Sequence, residues 1–367
     1  MENYMPTRVH SGINAIENYK NEFNIGKKCL IVTGKNSAKK SGALDDVTKV
    51  LNELNIQYSI YDGITANPLM ASCIEAGKLA NQINADFIVG IGGGSPLDAS
   101  KIVAKVATNP DISKKDIYQF KWDNASLPFI LVGTTSGTGS EVTKVAVITD
   151  EEDGRKKSTN HNDYYAKVAF GDPRYTQSLS RDVTISTAID ALAHCVESYL
   201  SNKANDISRA YAVAGIKMLI KPLRNLLDEN YVPDLKVREE LYNASILGGL
   251  SINVTGTTVA HTLGYYLTEG YKVPHGIACA IFMEDLFNFV EKDNKEYLYK
   301  LFEESFVTKE ELIKIVKGLL PKHDIHMSLE EIESLLPRYE NNNSVNNTKG
   351  HMSVPEIKEL LINKFNK

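Results

Sequence analysis

The sequence predicts an α/β N-terminal domain built on a parallel sheet, followed by an all-helical C-terminal domain. Three observations carry this expectation. Short apolar runs alternate with helical patterns through the first half, as βαβ units require. From about Ser178 long helical patterns take over, with few β-branched runs between them. And 367 residues are too many for one small core. The change of texture falls in "DPRYTQSLSRD", which sets domains at residues 1–178 and 179–367.

The elements follow in order. "KKCLIVTG" is a short apolar run ending at Gly34, and a polar turn leads from it into the helical "GALDDVTKVLNELN". "QYSIYDGI" reads as a strand and "PLMASCIEAGKLANQIN" as its helix. "ADFIVGIGGG" is a buried strand running into glycines, with "PLDASKIVAKVA" as the helix behind it, and "LPFILVGTT" is a further strand. In the second half helices are expected over 182–200, 207–229, 235–253, 276–293, 308–319 and 354–364. The Asn-rich "NNNSVNNTKG", residues 341–350, reads as a surface loop.

Composition excludes several function classes. A net charge of −5 leaves no electrostatic footprint for nucleic acid. The four cysteines, Cys29, Cys73, Cys195 and Cys279, are scattered and form no C-x-x-C, which argues against a disulfide scaffold or a thiolate zinc knuckle. "MENYMPTRVHSG" lacks the apolar stretch of a signal peptide, and no apolar run approaches a membrane span. The expectation is a cytoplasmic protein with no membrane partner.

Two loops and four side chains carry the chemistry. "GIGGGSPLDASK" (90–101) follows a strand and opens a helix, so its glycines let backbone N–H groups approach a pyrophosphate beside a helix N-terminus. Asp98 is expected in the first helical turn, where a carboxylate is favourable. The loop is not the spaced G-x-G-x-x-G fingerprint, and a tight strand–helix turn is the plain alternative. "GTTSGTGSEVT" (133–143) offers hydroxyls at Thr134, Thr135, Ser136, Thr138, Ser140 and Thr143, again after a strand. Two such loops at one sheet edge point to nucleotide binding, because open α/β sheets bind ligands there.

In "STAIDALAHCVESYL" (186–200) Asp190 and His194 stand four apart and share one helical face. Alone, such a pair is more often a satisfied buried hydrogen bond than a metal site. His261 in "TTVAHTLGY" and His275 in "KVPHGIACA" add two imidazoles in equally apolar surroundings. One carboxylate with three neutral imidazoles suits Fe²⁺ or Zn²⁺. Cys195 falls on another face of its helix, and His10, His161, His323, His326 and His351 lie outside these motifs.

Together "GGGSPLDASK", "TTSGTGSEVT", "AIDALAHCVESYLS" and "HTLGYYLTEGYKVPHG" resemble the iron-containing (group III) alcohol dehydrogenases, over nearly the whole chain. The resemblance implies a dinucleotide-binding N-terminal domain with a Rossmann-like sheet, a helical C-terminal domain of dehydroquinate synthase-like architecture, and a catalytic divalent metal between them. It assigns the metal and catalysis to Asp190, His194, His261 and His275, with Fe²⁺ the family's usual ion and Zn²⁺ the alternative. It assigns the cofactor to Gly34, Asn36, Ser37, Lys40, Asn67, Gly93, Gly94, Ser95, Asp98, Thr134, Thr135, Thr138, Thr143 and Lys156, and it implies a homodimer. Many members carry a further histidine four residues after the third ligand; this chain has Tyr265, so a proton relay assigned to that histidine does not carry over.

The implied reaction is hydride transfer between NADP(H) and a short primary alcohol or diol and its aldehyde, with metal as Lewis acid. Ile252, Val254, Leu263, Tyr265 and Tyr266 suggest a mainly apolar substrate pocket. On that basis the rivals are a dehydroquinate synthase-like or glycerol dehydrogenase-like enzyme of the same fold, and a non-catalytic metal- or nucleotide-binding protein. Cofactor choice rests on "LIVTGKNSAKKSG": where NAD-preferring relatives often end the strand in Asp, this chain has Gly34, then Lys35, Asn36, Ser37, Lys39 and Lys40. In this it resembles the NADP-using members, including the 1,3-propanediol and butanol dehydrogenases, with NAD the alternative.

Overall fold

The computed structural model describes residues 3–350 and 352–366, so His351 lies outside the described residues. Six strands form one sheet in the order β1-β8-β5-β4-β2-β3, and every pairing in it is parallel. They are β1 (Arg8–Ser11), β2 (Lys28–Thr33), β3 (Gln57–Tyr61), β4 (Phe87–Gly92), β5 (Phe129–Gly133) and β8 (Val168–Gly171). An antiparallel hairpin of β6 (Val145–Thr149) and β7 (Lys156–Asn160) stands apart from them.

The four strands expected from the sequence are β2 to β5. β2, β4 and β5 read clearly because a strand covered on both faces shows an unbroken apolar run, whereas β3 is the half-exposed edge strand QYSIY. Leu30, Val32, Ile88 and Leu131 feed one core, while Ile31, Val89, Ile130 and Val132 feed the core on the opposite face. The sequence reading missed β1 and β8, each four residues long and too short to show a period, and the hairpin, whose second strand is the polar KKSTN.

The order of strands reverses between β2 and β4, which opens a crevice at the carboxyl ends of those two strands. The turn after β4 depends on glycine. Gly92 has φ +154, and a Cβ there would stand 2.6 Å from the Pro96 ring.

Helices replace strands between Gly171 and Arg181. The principal ones are Arg181–Tyr199, Asp206–Asn225, Leu235–Thr255, Val259–Gly270, His275–Ala280, Met283–Ser305, Lys309–Leu319 and Val354–Phe365. The single helix expected over 276–293 is two, broken after Ala280; the second kinks at Asn294 (φ −147, ψ 73), close to the expected end, and helix resumes beyond it to Ser305. Among the described residues no helix is long and apolar enough to cross a membrane.

The Asn-rich stretch is not a surface loop. Asn347 and Thr348 are buried, and they clamp the turn that precedes the 259–270 helix. Asn347 Nδ2 donates to the Thr255 and Thr257 carbonyls at 2.9 and 3.1 Å. Thr348 Oγ1 accepts the Val259 N–H at 3.0 Å. Low complexity misleads here because amide side chains serve a backbone that lacks partners as well as they serve water.

Candidate metal centre and cofactor groove

The Arg181–Tyr199 helix is capped by Ser180, whose side chain accepts the Val183 N–H. It is buried along most of its length, so any polar side chain on it needs a partner. Asp190 and His194 project from one face, four residues apart. His261 comes from the first turn of its own helix, and His275 opens a short helix behind Pro274.

These four converge. Asp190 Oδ1 lies 3.9 Å from His194 Nε2, 3.6 Å from His261 Nε2 and 3.9 Å from His275 Nε2. Asp190, His194 and His261 are all but sealed from solvent, while the His275 side chain remains 26% exposed and marks the open side. Two buried atoms, Asp190 Oδ1 and His261 Nε2, have no hydrogen-bond partner. An orphaned carboxylate oxygen facing an orphaned imidazole nitrogen is costly unless something sits between them. A divalent cation fits: the donors are one carboxylate and three imidazoles, at separations that ligands of one ion adopt.

Protonation states agree with that use. Burial opposes charge on Asp190, but His194, His275 and His261 hold its carboxyl well below the usual range. Burial pushes His194 down, and burial together with Lys156 pushes His275 further down, so both offer neutral nitrogens. Burial also works against a charge on His261, yet Cys279, Glu197 and Asp190 raise it well above the ordinary value.

Glu197 was missed by the sequence reading. Its carboxylate bonds His261 Nδ1 and accepts from Thr258 N–H at 2.6 Å and Thr258 Oγ1 at 2.7 Å. That contact fixes the His261 tautomer, leaving Nε2 as the free donor. The signal was available: Glu197 is three residues past His194, on the same helical face. His194 is fixed in the same way, Nδ1 facing the Gly137 carbonyl at 3.3 Å. The "TTSGTG" loop therefore supports a ligand as well as the groove. Cys195 turns away and packs against Gly215.

The groove runs from β2 past β4 to this cluster, with a volume of about 480 Å³. Of the residues assigned to the cofactor, Gly34, Asn36, Ser37, Gly93, Gly94, Ser95, Thr135 and Thr138 line it. Gly93 caps the Gly94–Thr108 helix without a side-chain bond, so the helix N-terminus opens into the groove. Asn67, Thr143 and Lys156 line the adjoining cavity instead.

Three assignments need correction. Lys40 is exposed and does not line the groove; Lys35 does. Thr134 is buried behind the loop, because its position alternates inward from Thr135. Asp98 is not in the first turn. It lies a turn further along, where it lines the adjoining cavity, accepts from Ser140 Oγ at 2.5 Å and the Val147 N–H at 2.9 Å, and so ties the hairpin to the helix.

The cavity beside the ligands has a volume of about 420 Å³. The cavity presents more apolar than polar surface, as expected from the sequence, but through partly different residues. Ile252 and Tyr265 line it, but Leu263 belongs to the helical core, Tyr266 turns its hydroxyl to Glu331, and Val254 stays outside. Pro68, Val145 and Val147 add apolar wall, and polar groups come from Ser158 and Asn160 of β7, Thr257, and Asn343 and Asn347 of the Asn-rich stretch. Lys156 enters from the start of β7, lowered by burial, with its Nζ 5.3 Å from the Tyr265 ring. Burial pushes Tyr265 up to about 12.

Comparison with known proteins agrees with this architecture. A family model described as "Iron-containing alcohol dehydrogenase" matches residues 6–173, and one described as "Fe-containing alcohol dehydrogenase family, C-terminal" matches residues 184–335. The chain is 32% identical over 271 residues to alcohol dehydrogenase 4 of Schizosaccharomyces pombe, an alignment covering 73% of this chain and 63% of that protein. It is 28% identical over 341 residues to an NADPH-dependent butanol dehydrogenase of Clostridium saccharobutylicum, covering 89% of this chain and 85% of the relative. The crystal structure of an iron-containing alcohol dehydrogenase from Thermotoga maritima superposes with a TM-score of 0.91 at 35% identity, covering 99% of each chain.

Proposed function

This chain belongs to the iron-containing alcohol dehydrogenase family, and from that premise we propose that it is a metal-dependent alcohol dehydrogenase transferring a hydride between NADP(H) and a short primary alcohol or diol and its aldehyde. Asp190, His194, His261 and His275 hold the metal, Fe²⁺ in the first instance. The observation that carries the reading is the pair of orphaned donors, Asp190 Oδ1 and His261 Nε2, at the point where the groove meets the adjoining cavity. When bound, the cation supplies Lewis acidity toward the substrate oxygen, and the nicotinamide supplies the hydride chemistry.

The chain's own residues do the rest. The open N-terminus of the 94–108 helix and the hydroxyls of Thr135 and Thr138 hold the diphosphate and orient the dinucleotide along the groove. Glu197 and the Gly137 carbonyl keep two imidazoles turned toward the cation. The apolar neighbours of Asp190 exclude bulk water. The cavity's apolar surface packs a short carbon chain, and its amide and hydroxyl groups can bond a second substrate hydroxyl.

NADP(H) is preferred because Gly34 leaves room for a 2′-phosphate beside Lys35, Asn36 and Ser37. The test is kcat/KM over a panel of short aldehydes, hydroxyaldehydes and long-chain aldehydes, with both cofactors, in the native chain and Gly34→Asp. The Asp Cβ would come 3.0 Å from the Ile64 carbonyl, which must yield by a few tenths of an ångström. The variant should reverse or sharply reduce the NADPH preference. A native chain favouring NADH, or a clear preference for long apolar aldehydes, refutes the corresponding part.

A further inference from the structure

The cluster holds one more donor than the reaction's ligand set uses. Cys279 is four residues after His275 on the same short helix, so the two side chains share a face. It is fully buried. Its Sγ lies 3.8 Å from His275 Nδ1 and 3.9 Å from Nε2. One donor atom each from Asp190, His261, His275 and Cys279 all lie within 4.8 Å of one another. The thiol is held there by backbone packing, since Gly264 brings the neighbouring helix against the Cys279 N–H. Asp190 Oδ1 and His261 Nε2, both buried and both without partners, face the same space.

We propose that Cys279 is a further donor to the cation held by Asp190, His194, His261 and His275, and that it makes the site softer than a carboxylate–imidazole set. The inference rests on the metal reading above. Ligation breaks the S–H bond, forms a sulfur–metal bond and releases one proton to solvent. A thiolate favours Zn²⁺, Co²⁺ and Cd²⁺ relative to hard cations such as Mn²⁺. The other three cysteines take no part: Cys29 and Cys73 sit in the cores around the sheet, and Cys195 packs against Gly215.

Cobalt(II) reports the ligands directly, since bound Co²⁺ shows visible d–d bands and a thiolate ligand adds a near-ultraviolet charge-transfer band. The full chain loaded anaerobically with Co²⁺ should show both. Cys279→Ser and Cys279→Ala should keep the d–d bands and lose the charge-transfer band. In competition titrations either variant should lower Cd²⁺ affinity relative to Mn²⁺ by about 10–100-fold, the scale on which groups around a metal tune it. A native chain with d–d bands and no charge-transfer band overturns the proposal and leaves the four-ligand reading standing. So does a band that persists in both variants, or an equal loss of Cd²⁺ and Mn²⁺ affinity. A native chain that binds no Co²⁺ overturns both readings together.

Discussion

Substituting Gly276 tests the whole geometry of the metal centre without touching a ligand. The short helix that begins at His275 lies hard against the Asp190 helix, and glycine is what allows it. A Cβ at position 276 would stand 1.9 Å from the Ser186 carbonyl oxygen, 2.8 Å from Asp190 Cβ and 3.0 Å from Asp190 N. The first two obstacles are backbone and the root of a buried side chain, and neither can swing away. Ordinary contact begins at 3.4 Å, so in Gly276→Ala the helices must part by about 1.5 Å, in a core packed too densely to absorb it. Overpacking of this kind costs about 1–3 kcal/mol of stability. The metal should suffer more, because ligand distances tolerate only about 0.2 Å. Displacing His275 relative to Asp190 should weaken affinity by about 100-fold, which is about 2.7 kcal/mol. Chelator competition measures the affinity, and thermal melts with and without metal separate the two effects. The expected result is a folded protein whose melting temperature scarcely responds to metal. A variant that melts earlier but keeps native affinity refutes the reasoning, since the strain would then have relaxed somewhere other than between the ligands.

Two further outcomes follow from charged contacts, one at the metal centre and one away from it. Glu197→Gln keeps the size of the side chain but removes the charge that fixes His261, and should weaken metal affinity by about 10–100-fold in a direct titration; unchanged affinity would show that Thr258 and packing orient the ring unaided. Asp150 bonds Lys114 and Lys157 at 2.7 and 2.6 Å, and these lysines hold its carboxyl well below the usual range. A depressed carboxyl contributes stability above its unfolded pKa of about 3.9 and loses it as pH falls through the folded value. Asp150→Asn should therefore be less stable at neutral pH and show a flatter acid limb in denaturant titrations; an acid limb as steep as the native one counts against the assignment.

What the sequence reveals depends on how far apart the cooperating residues lie. Asp190 and His194 are legible because one helical turn joins them, and β2, β4 and β5 because burial on both faces leaves an unbroken apolar run. The glycines of 92–94 are legible because a strand runs straight into a helix there. The substrate wall is not. It comes from β7, from the 256–258 turn and from residues 343–347, none of them near the ligands in the chain, and their polar composition mimics solvent-facing loop. Of the apolar residues near the ligands in the chain, Ile252 and Tyr265 reach the cavity, while Leu263 and Tyr266 pack into or against the helical core. Asp98 shows the same limit on a smaller scale: its place in a helix was clear, but its partners Ser140 and Val147 arrive from another loop and a hairpin.

The burial of Asn347 and Thr348 against residues 200–202 and 255–259 also has a bearing on synthesis. The sheet is complete once Gly171 has left the ribosome, and domains generally fold as units, N-terminal first. Asp190 and His194 emerge soon afterwards, but the turn that positions His261 stays unclamped until about 160 more residues have followed. At about 5–20 residues per second this is a delay of roughly 8 to 30 s. Through that interval the nascent chain carries exposed imidazoles and an unfinished helical core. A cation captured then would meet a floppy, incomplete site, so selectivity among metals is set by the finished fold and not by the order in which ligands appear.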